Sequence, residues 1–288
     1  MKTFAKALTS LAAVAATLAF TPVHAVVVTF GGQNTNVAGG DYSGLTSNYV
    51  PVSNIVDPST GYFIETFDAA TANPWLNGGQ PGTTALHPGA NMNIQQGAGC
   101  SINSYGTLSI TADGGGFAVR DGSANYAATP ANDSTCFGYG PQQGGTLPAS
   151  VKVDYTTFLG ASGAKINYLG VYYGSIDNYN NIAFYGTNGN LLQIAGGLLA
   201  DGLITGAEIL AANGGHTGNQ TQPGSNVYVN LAFAPGEEFT AFEFRTTGVA
   251  FEFDNVVVGI NNRTPEPASL ALLGIGLVGL AASRRRKN

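Results

Sequence analysis

The second half of the chain alternates apolar and polar residues with a period of two. Val151, Val153 and Tyr155 interleave with Lys152 and Asp154, and Val227, Val229, Leu231 and Phe233 interleave with Tyr228, Asn230 and Ala232. Phe242 and Phe244 alternate with Glu243 and Arg245, and Phe251 and Phe253 with Glu252 and Asp254. Successive side chains of a strand point to opposite faces, so each segment predicts a strand with one face in a core and one in water. Around Asp254-Asn255 the apolar positions change phase, from 251 and 253 to 256, 258 and 260. A bulge there lets the strand keep feeding the core; the alternative is a final strand covered on both faces.

No amphipathic helix stands out before the C-terminal tail. Residues 198–212 suit a short one, weakened by Gly202 and Gly206. The glycine-rich links Asn77-Gly78-Gly79, Gly114-Gly115-Gly116, Gly144-Gly145 and Asn213-Gly214-Gly215 predict turns or loops. Many short strands joined by polar turns predict an all-β protein, an antiparallel β-sandwich of jelly-roll type. No fixed-period repeat supports a propeller or β-helix. Residues 26–58 turn polar and aperiodic after a first strand and read as a loose N-terminal lobe. No linker divides the body, residues 26–263, into two domains.

Both ends differ from this body. Lys2 and Lys6 precede an apolar stretch from Ala7 to Phe20, and Val23-His24-Ala25 supplies a small-x-small cleavage pattern. Residues 1–25 are therefore expected to be a signal peptide removed by signal peptidase. At the other end, Thr264-Pro265-Glu266-Pro267 leads into an apolar run over 268–282, followed by Arg284, Arg285, Arg286 and Lys287. The run is shorter than the ~20 residues that usually cross a bilayer. As a helix it is expected to sit in the inner membrane, its terminal cations snorkelling to the cytoplasmic side. The two prolines keep the outer junction non-helical.

Proline-glutamate-proline, an apolar segment and an arginine cluster in that order resemble the PEP-CTERM sorting signal of bacterial surface proteins, here over 264–288. In that family an exosortase, a membrane-embedded transpeptidase-like enzyme, recognises and cuts the tail. The resemblance makes Pro265, Glu266, Pro267, Arg284, Arg285 and Arg286 the sorting motif. It implies an exported protein that is transiently anchored and then carried to the cell surface or the extracellular matrix. A second resemblance lies in the body. Leu169-Gly170-Val171-Tyr172-Tyr173-Gly174-Ser175-Ile176-Asp177-Asn178-Tyr179-Asn180, then Tyr228-Val229-Asn230 and Ala250-Phe251-Glu252-Phe253-Asp254-Asn255, looks like a group of exosortase-dependent surface proteins. Their shared pattern, LGxYWGSxDxYN…YVN…AFExDN, has Trp where this chain has Tyr173. It supports address and fold, not chemistry.

Charge narrows the partners. From Val26 to Thr264 there are five basic residues, Arg120, Lys152, Lys165, Arg245 and Arg263, against 16 acidic ones, a formal charge of −11. That balance argues against nucleic acid and anionic lipid, which need clustered Lys and Arg. The chain's 41 Gly, with only 10% charged residues, fit a turn-rich exported β protein. Cys100 and Cys136, an even pair in an oxidising compartment, predict one disulfide.

Catalytic signatures are weak. Gly160-Ala161-Ser162-Gly163-Ala164 only loosely echoes a nucleophile elbow. Glu237 and Glu238 are adjacent, so on an extended chain they face opposite ways and form no acid/base pair. Two other constellations carry more chemistry. Tyr172, Tyr173 and Tyr179 beside Asp177 and Asn178 offer rings for stacking on sugars and polar groups for their hydroxyls. The competing reading buries the tyrosines and uses the Asp and Asn in a hairpin turn. Glu65 and Asp68, near the first strands, and Asp254, near the last, would meet if first and last strands are neighbours. They would then hold a structural Ca²⁺ through oxygen ligands; the competing reading leaves them solvated.

The sequence thus points to a non-enzymatic exported β-sandwich associated with exopolysaccharide and needing no cofactor beyond that structural Ca²⁺. The alternatives are a carbohydrate-binding module for one glycan or a secreted glycoside hydrolase.

Overall fold

The computed structural model describes residues 26–55, 60–68, 94–96, 100, 102, 109–160, 164–194 and 197–261. The signal-peptide and tail expectations, residues 161–163 of the elbow-like segment and the Asn77-Gly78-Gly79 link lie outside these residues. Among the described residues no helix is long and apolar enough to cross a membrane.

The chain folds into short strands. The first are β1 (Val27–Phe30), β2 (Gln33–Asn34), β3 (Leu45–Thr46), β4 (Tyr62–Glu65) and β5 (Ile94–Gln96). Then come β6 (Ser109–Gly114), β7 (Phe117–Asp121), β8 (Cys136–Gly140), β9 (Ala149–Asp154), the helical turn α1 (Thr156–Leu159), β10 (Lys165–Gly174) and β11 (Asn180–Tyr185). The last are β12 (Leu203–Thr205), α2 (Gly206–Asn213), β13 (Val227–Ala232), β14 (Ala241–Thr246) and β15 (Phe251–Asn261). One sheet runs β1-β13-β10-β15-β8-β7-β5, with β4 also on β15; the second runs β12-β11-β14-β9-β6. Pairing is antiparallel except for β5 with β7.

The sheets pack face to face through the apolar rows read from the sequence. Phe242 and Phe244 of the second sheet meet Phe251 and Phe253 of the first, with Phe244 and Phe253 ring centroids 4.3 Å apart. Polar partners in β14 and β9 face outward, so the predicted one-sided strands hold in this sheet.

The first sheet differs. Tyr228, Glu252 and Asp254 are buried as fully as the apolar residues beside them. The reason is that residues 31–55 and 123–135 lie over the outer face of this sheet. The N-terminal segment is therefore not a loose lobe. Thr35, Ser43, Thr46 and Ser47 are fully buried in it, and tyrosines of the sheet hydrogen-bond to it and to the neighbouring loop. Tyr168 Oη is 2.9 Å from Ser47 Oγ and Tyr172 Oη donates to the Ala131 carbonyl, while Tyr228 Oη stays within the sheet, donating to the Asn255 carbonyl of β15 at 2.9 Å. Polar groups buried this way need such partners, which explains the density of side chain to backbone bonds here.

The phase change in β15 is a bulge. Gly170 lies opposite Val257 and Tyr172 opposite Asp254, so β15 carries one extra residue, and Asn255 adopts a left-handed φ of 48°. Both readings of that segment hold: the strand bulges, and it is covered on both faces.

The expected helix starts late. Gly202 has φ of 82° and makes a turn. Thr205 caps α2 through the Glu208 N–H while the Glu208 carboxylate accepts from the Thr205 N–H, a reciprocal box. Cys100 and Cys136 form the predicted disulfide, with Cα atoms 5.6 Å apart.

Candidate functional site

The tyrosine-rich segment is mostly interior. Tyr172 sits under the N-terminal segment, and Tyr173 stacks on Phe251 with centroids 4.6 Å apart. Neither ring is open to a sugar, which corrects the platform reading for these two residues: strand β10 is covered on both faces, so Tyr172 and Tyr173 are both core. Asp177 accepts from Tyr179 Oη (2.7 Å) and Thr217 Oγ1 (3.0 Å), building the turn between β10 and β11. Burial raises the Asp177 carboxyl above the usual range, and those two bonds offset part of the rise. Asn178 is exposed, its N–H bonded to Thr217 Oγ1. Tyr179 is half-buried. Its hydroxyl also donates to the Val249 carbonyl, and its ring lies against Gly248, where a Cβ would meet the ring at 2.5 Å.

Tyr179 does reach an open surface. The outer face of the second sheet holds a groove of about 610 Å³ lined by Tyr179, Asn181, Glu243, Arg245, Ser150 and Asp113 among others. Four of these residues form one cross-strand row: Asn181 opposite Arg245, Arg245 opposite Ser150, and Ser150 opposite Asp113. Arg245 Nη2 lies 2.7 Å from Glu243 Oε2 and donates to Tyr185 Oη at 2.6 Å, while Tyr185 Oη donates to the same carboxylate. Burial acts to raise the Glu243 carboxyl, but donation from Tyr185 and Arg245 outweighs it and leaves the group below its ordinary range. Lys152 Nζ stands 4.0 Å from the Tyr185 ring centroid. The groove is thus lined by hydroxyls, an amide and a neutralised ion pair, chemistry suited to a hydroxyl-rich ligand. Sequence reading identified β9 and β14, with Glu243 and Arg245 among their outward residues, but not β6, β11 or the row that the four strands align.

Adjacent Glu237 and Glu238 share a tight turn and fold back on it: Ala234 N–H donates to Glu237 Oε2 at 3.0 Å, and Gly236 N–H to Glu238 Oε2 at 2.8 Å. Glu252 is enclosed between the Ala128 N–H (2.9 Å) and the Ser175 hydroxyl (2.8 Å). Burial pushes its carboxyl up to about 7 despite those donors.

Carboxylates do gather on the covered face of the first sheet. The first strand, β1, pairs with β13 and not with the last; it is β4 that pairs with β15, with Glu65 opposite Val256. Glu65 nevertheless faces Tyr155, accepts from the Phe67 N–H at 2.8 Å, and lines the apolar interior between the sheets. That corrects the expected trio. Asp133, in the loop before β8, takes its place. It bridges to Ser43, and Asp133, Asp68 and Asp254 act on one another electrostatically, joined by Asp41. Asp68 accepts from the Cys136 N–H at 3.1 Å, and burial lifts its carboxyl to about 6. Asp133 is lifted to about 7 and Asp254 well above the carboxylate range, in both cases by burial first and by the neighbouring carboxylates after it. Sequence reading missed Asp133 because Asn132-Asp133-Ser134-Thr135 looks like turn chemistry; Thr135 does donate to Asp133 Oδ1 through both its N–H and its hydroxyl, each at 2.8 Å.

No curated protein and no solved structure matches the chain. Residues 263–287 match the PEP-CTERM protein-sorting motif, a C-terminal signal for exosortase sorting, which supports export of this chain.

Proposed function

We propose that the exported body is a non-enzymatic component of the cell surface or extracellular matrix that associates with exopolysaccharide across the outer face of its five-stranded sheet. The observation that carries this reading is the row Asn181-Arg245-Ser150-Asp113 in an open groove. Its size lies within the range of ligand clefts. The Glu243–Arg245 pair cancels its own charge, which favours hydroxyl-bearing sugars over strongly charged polymers. Several carboxylates that would otherwise suggest hydrolysis are spent on structure: Glu237, Glu238 and Asp177 each accept from their own turn, and Glu252 accepts from the Ala128 N–H and the Ser175 hydroxyl. Each polar or stacking contact contributes on the order of 1 kcal/mol, so retention in a matrix depends on many copies or sites acting together.

Affinity electrophoresis of the exported protein through gels containing the host's own exopolysaccharide tests this. Asn181→Ala and Arg245→Ala are expected to lose most of the retardation while keeping the parent circular dichroism spectrum. Unchanged retardation in both variants overturns the groove assignment. Release of new reducing ends from the polysaccharide overturns the non-enzymatic part and favours a glycoside hydrolase. Retardation by a single glycan from a panel identifies instead a carbohydrate-binding module.

A further inference from the structure

Side-chain oxygens on the covered face of the first sheet lack the partners that burial demands. Asp254 is completely buried at the β15 bulge, and neither of its carboxylate oxygens has a hydrogen-bond partner of good geometry. Asp133 Oδ1 is satisfied by Thr135, but Oδ2 is buried and receives no N–H or hydroxyl donor, and the Asp254 carboxyl is close enough to share a proton with Asp133. Asn54 Oδ1 is in the same condition, and the Asn54 amide donates to Asn255 Oδ1, next in the chain to Asp254, at 3.0 Å. The Asn255 amide in turn donates to Ser43 Oγ at 2.7 Å, beside the Ser43–Asp133 bridge. Three distant stretches of chain therefore bring unsatisfied oxygens to one seam.

Electrostatics there runs in one direction. Among the described residues the charged groups that act on Asp133 and Asp254 are Asp41, Asp68 and each other. Asp41 is already engaged, accepting from the Ser43 N–H and hydroxyl and from the Asn54 amide. Arg120, Lys152 and Arg245 are committed elsewhere, to the 121–126 loop and the outer face of the second sheet. An uncompensated buried carboxylate is strongly destabilising, and two in contact more so. Such a pair either shares a proton or holds a cation.

We propose that Asp133 and Asp254 hold one Ca²⁺ ion, with Asp68 in an outer position, which pins the N-terminal segment and the 130–135 loop to the bulge of the last strand. Calcium takes six to eight oxygen ligands, carboxylates, carbonyls and waters together. Among the described residues no three acidic, histidine or cysteine side chains close on one point, so neutral oxygens such as Asn54 Oδ1 and water complete the shell. The set is all oxygen, since both cysteines are consumed in the disulfide. It therefore selects a hard cation over zinc or copper. The bulge explains the choice of strand: the left-handed Asn255 lets consecutive residues, Asp254 and Asn255, both engage the covered face.

The test uses the exported full-length protein, purified with and without an EGTA wash. Elemental analysis is expected to find one calcium per chain before the wash. Adding CaCl₂ to 100 times its dissociation constant should raise the melting midpoint by about 5–10 °C. Asp254→Asn and Asp133→Asn should each abolish calcium uptake and that rise. Because either change removes a buried charge, the EGTA-treated variants should melt no lower than the EGTA-treated parent, which separates a lost ligand from a damaged fold. Should one variant fail to fold, the other, with the parent's metal content, still decides. A parent that contains no calcium and melts identically in CaCl₂ and EGTA overturns the proposal and leaves the two carboxyls sharing a proton. Uptake that persists in both variants overturns it as well.

Discussion

Tyr173 lies flat against Phe251, ring planes 18° from parallel, with its hydroxyl buried between the sheets and without a hydrogen-bond partner of good geometry. A stacked pair of this kind adds to the area it buries, but an unsatisfied hydroxyl costs about 1–3 kcal/mol. Tyr173→Phe is therefore expected to leave stability unchanged or raise it by about 1 kcal/mol. Tyr173→Ala should lower it by about 3–5 kcal/mol. Urea unfolding of the two variants checks both; a Phe variant weaker than the parent by more than about 1 kcal/mol means the hydroxyl is bonded in solution.

Gly170 occupies the one position of β10 where two tyrosine hydroxyls converge. A Cβ there would sit 2.5 Å from both Tyr168 Oη and Tyr228 Oη. Those hydroxyls are fixed to Ser47, Asn230 and the Asn255 carbonyl, so they yield at a cost. Gly170→Ala should destabilise by about 1–3 kcal/mol and, if the cover over the sheet lifts, increase proteolysis in residues 31–55. Limited proteolysis with fragment mass analysis would reveal it.

The Cys100–Cys136 bond closes a loop of sequence separation 36. On the chain-entropy model its removal costs about 3–4 kcal/mol. Reduction, or the Cys100→Ser/Cys136→Ser double variant, should therefore lower the melting midpoint by about 6–15 °C. Labelling denatured, unreduced protein with a thiol reagent should modify neither residue.

Glu243 has a folded pKa below its ordinary value of 4.5, held there against burial by donation from Tyr185 and Arg245. The unfolded chain thus takes up its proton first. The stability this group contributes is present above about pH 4.5 and is lost as pH falls through the lower folded value. Glu243→Gln should flatten that part of the acid limb in a series of melting curves between pH 3 and 6, with little change in slope above pH 6. Equal slopes in parent and variant count against the Tyr185–Glu243–Arg245 network.

How much of this was legible before folding follows from which effects are local. The inner faces of β9, β13, β14 and β15 could be read because alternation is a property of adjacent residues, and the bulge because Val256, Val258 and Ile260 break the phase set by Phe251 and Phe253. The cover over the first sheet was not legible. Tyr168, Tyr172 and Tyr228 carry hydroxyls that suit either water or a buried partner, and their partners are non-local: Ser47 lies 121 residues from Tyr168 and Ala131 lies 41 from Tyr172. For the carboxylate seam, Asp254 and Asp68 were visible as acids near the first and last strands, whereas Asp133 acquires its role only through Ser43, 90 residues earlier. Tyr172, expected on a sugar platform, proved to be core for the same reason, because the segment that buries it announces nothing in its own pattern, whereas Tyr173 is core because it faces the other sheet and stacks on Phe251.

The position of β15 bears on the timing of export. It is the last strand among the described residues, yet it lies inside the eight-stranded sheet and pairs with β10, β8 and β4. A nascent body that has not yet delivered Phe251–Asn261 lacks the strand that joins the two halves of that sheet, so it cannot complete this fold. The sorting motif begins at residue 263, two residues after that strand ends. If the tail acts as the sorting signal it resembles, closure of the body is expected to come only once nearly the whole exported chain has been delivered, just ahead of that signal.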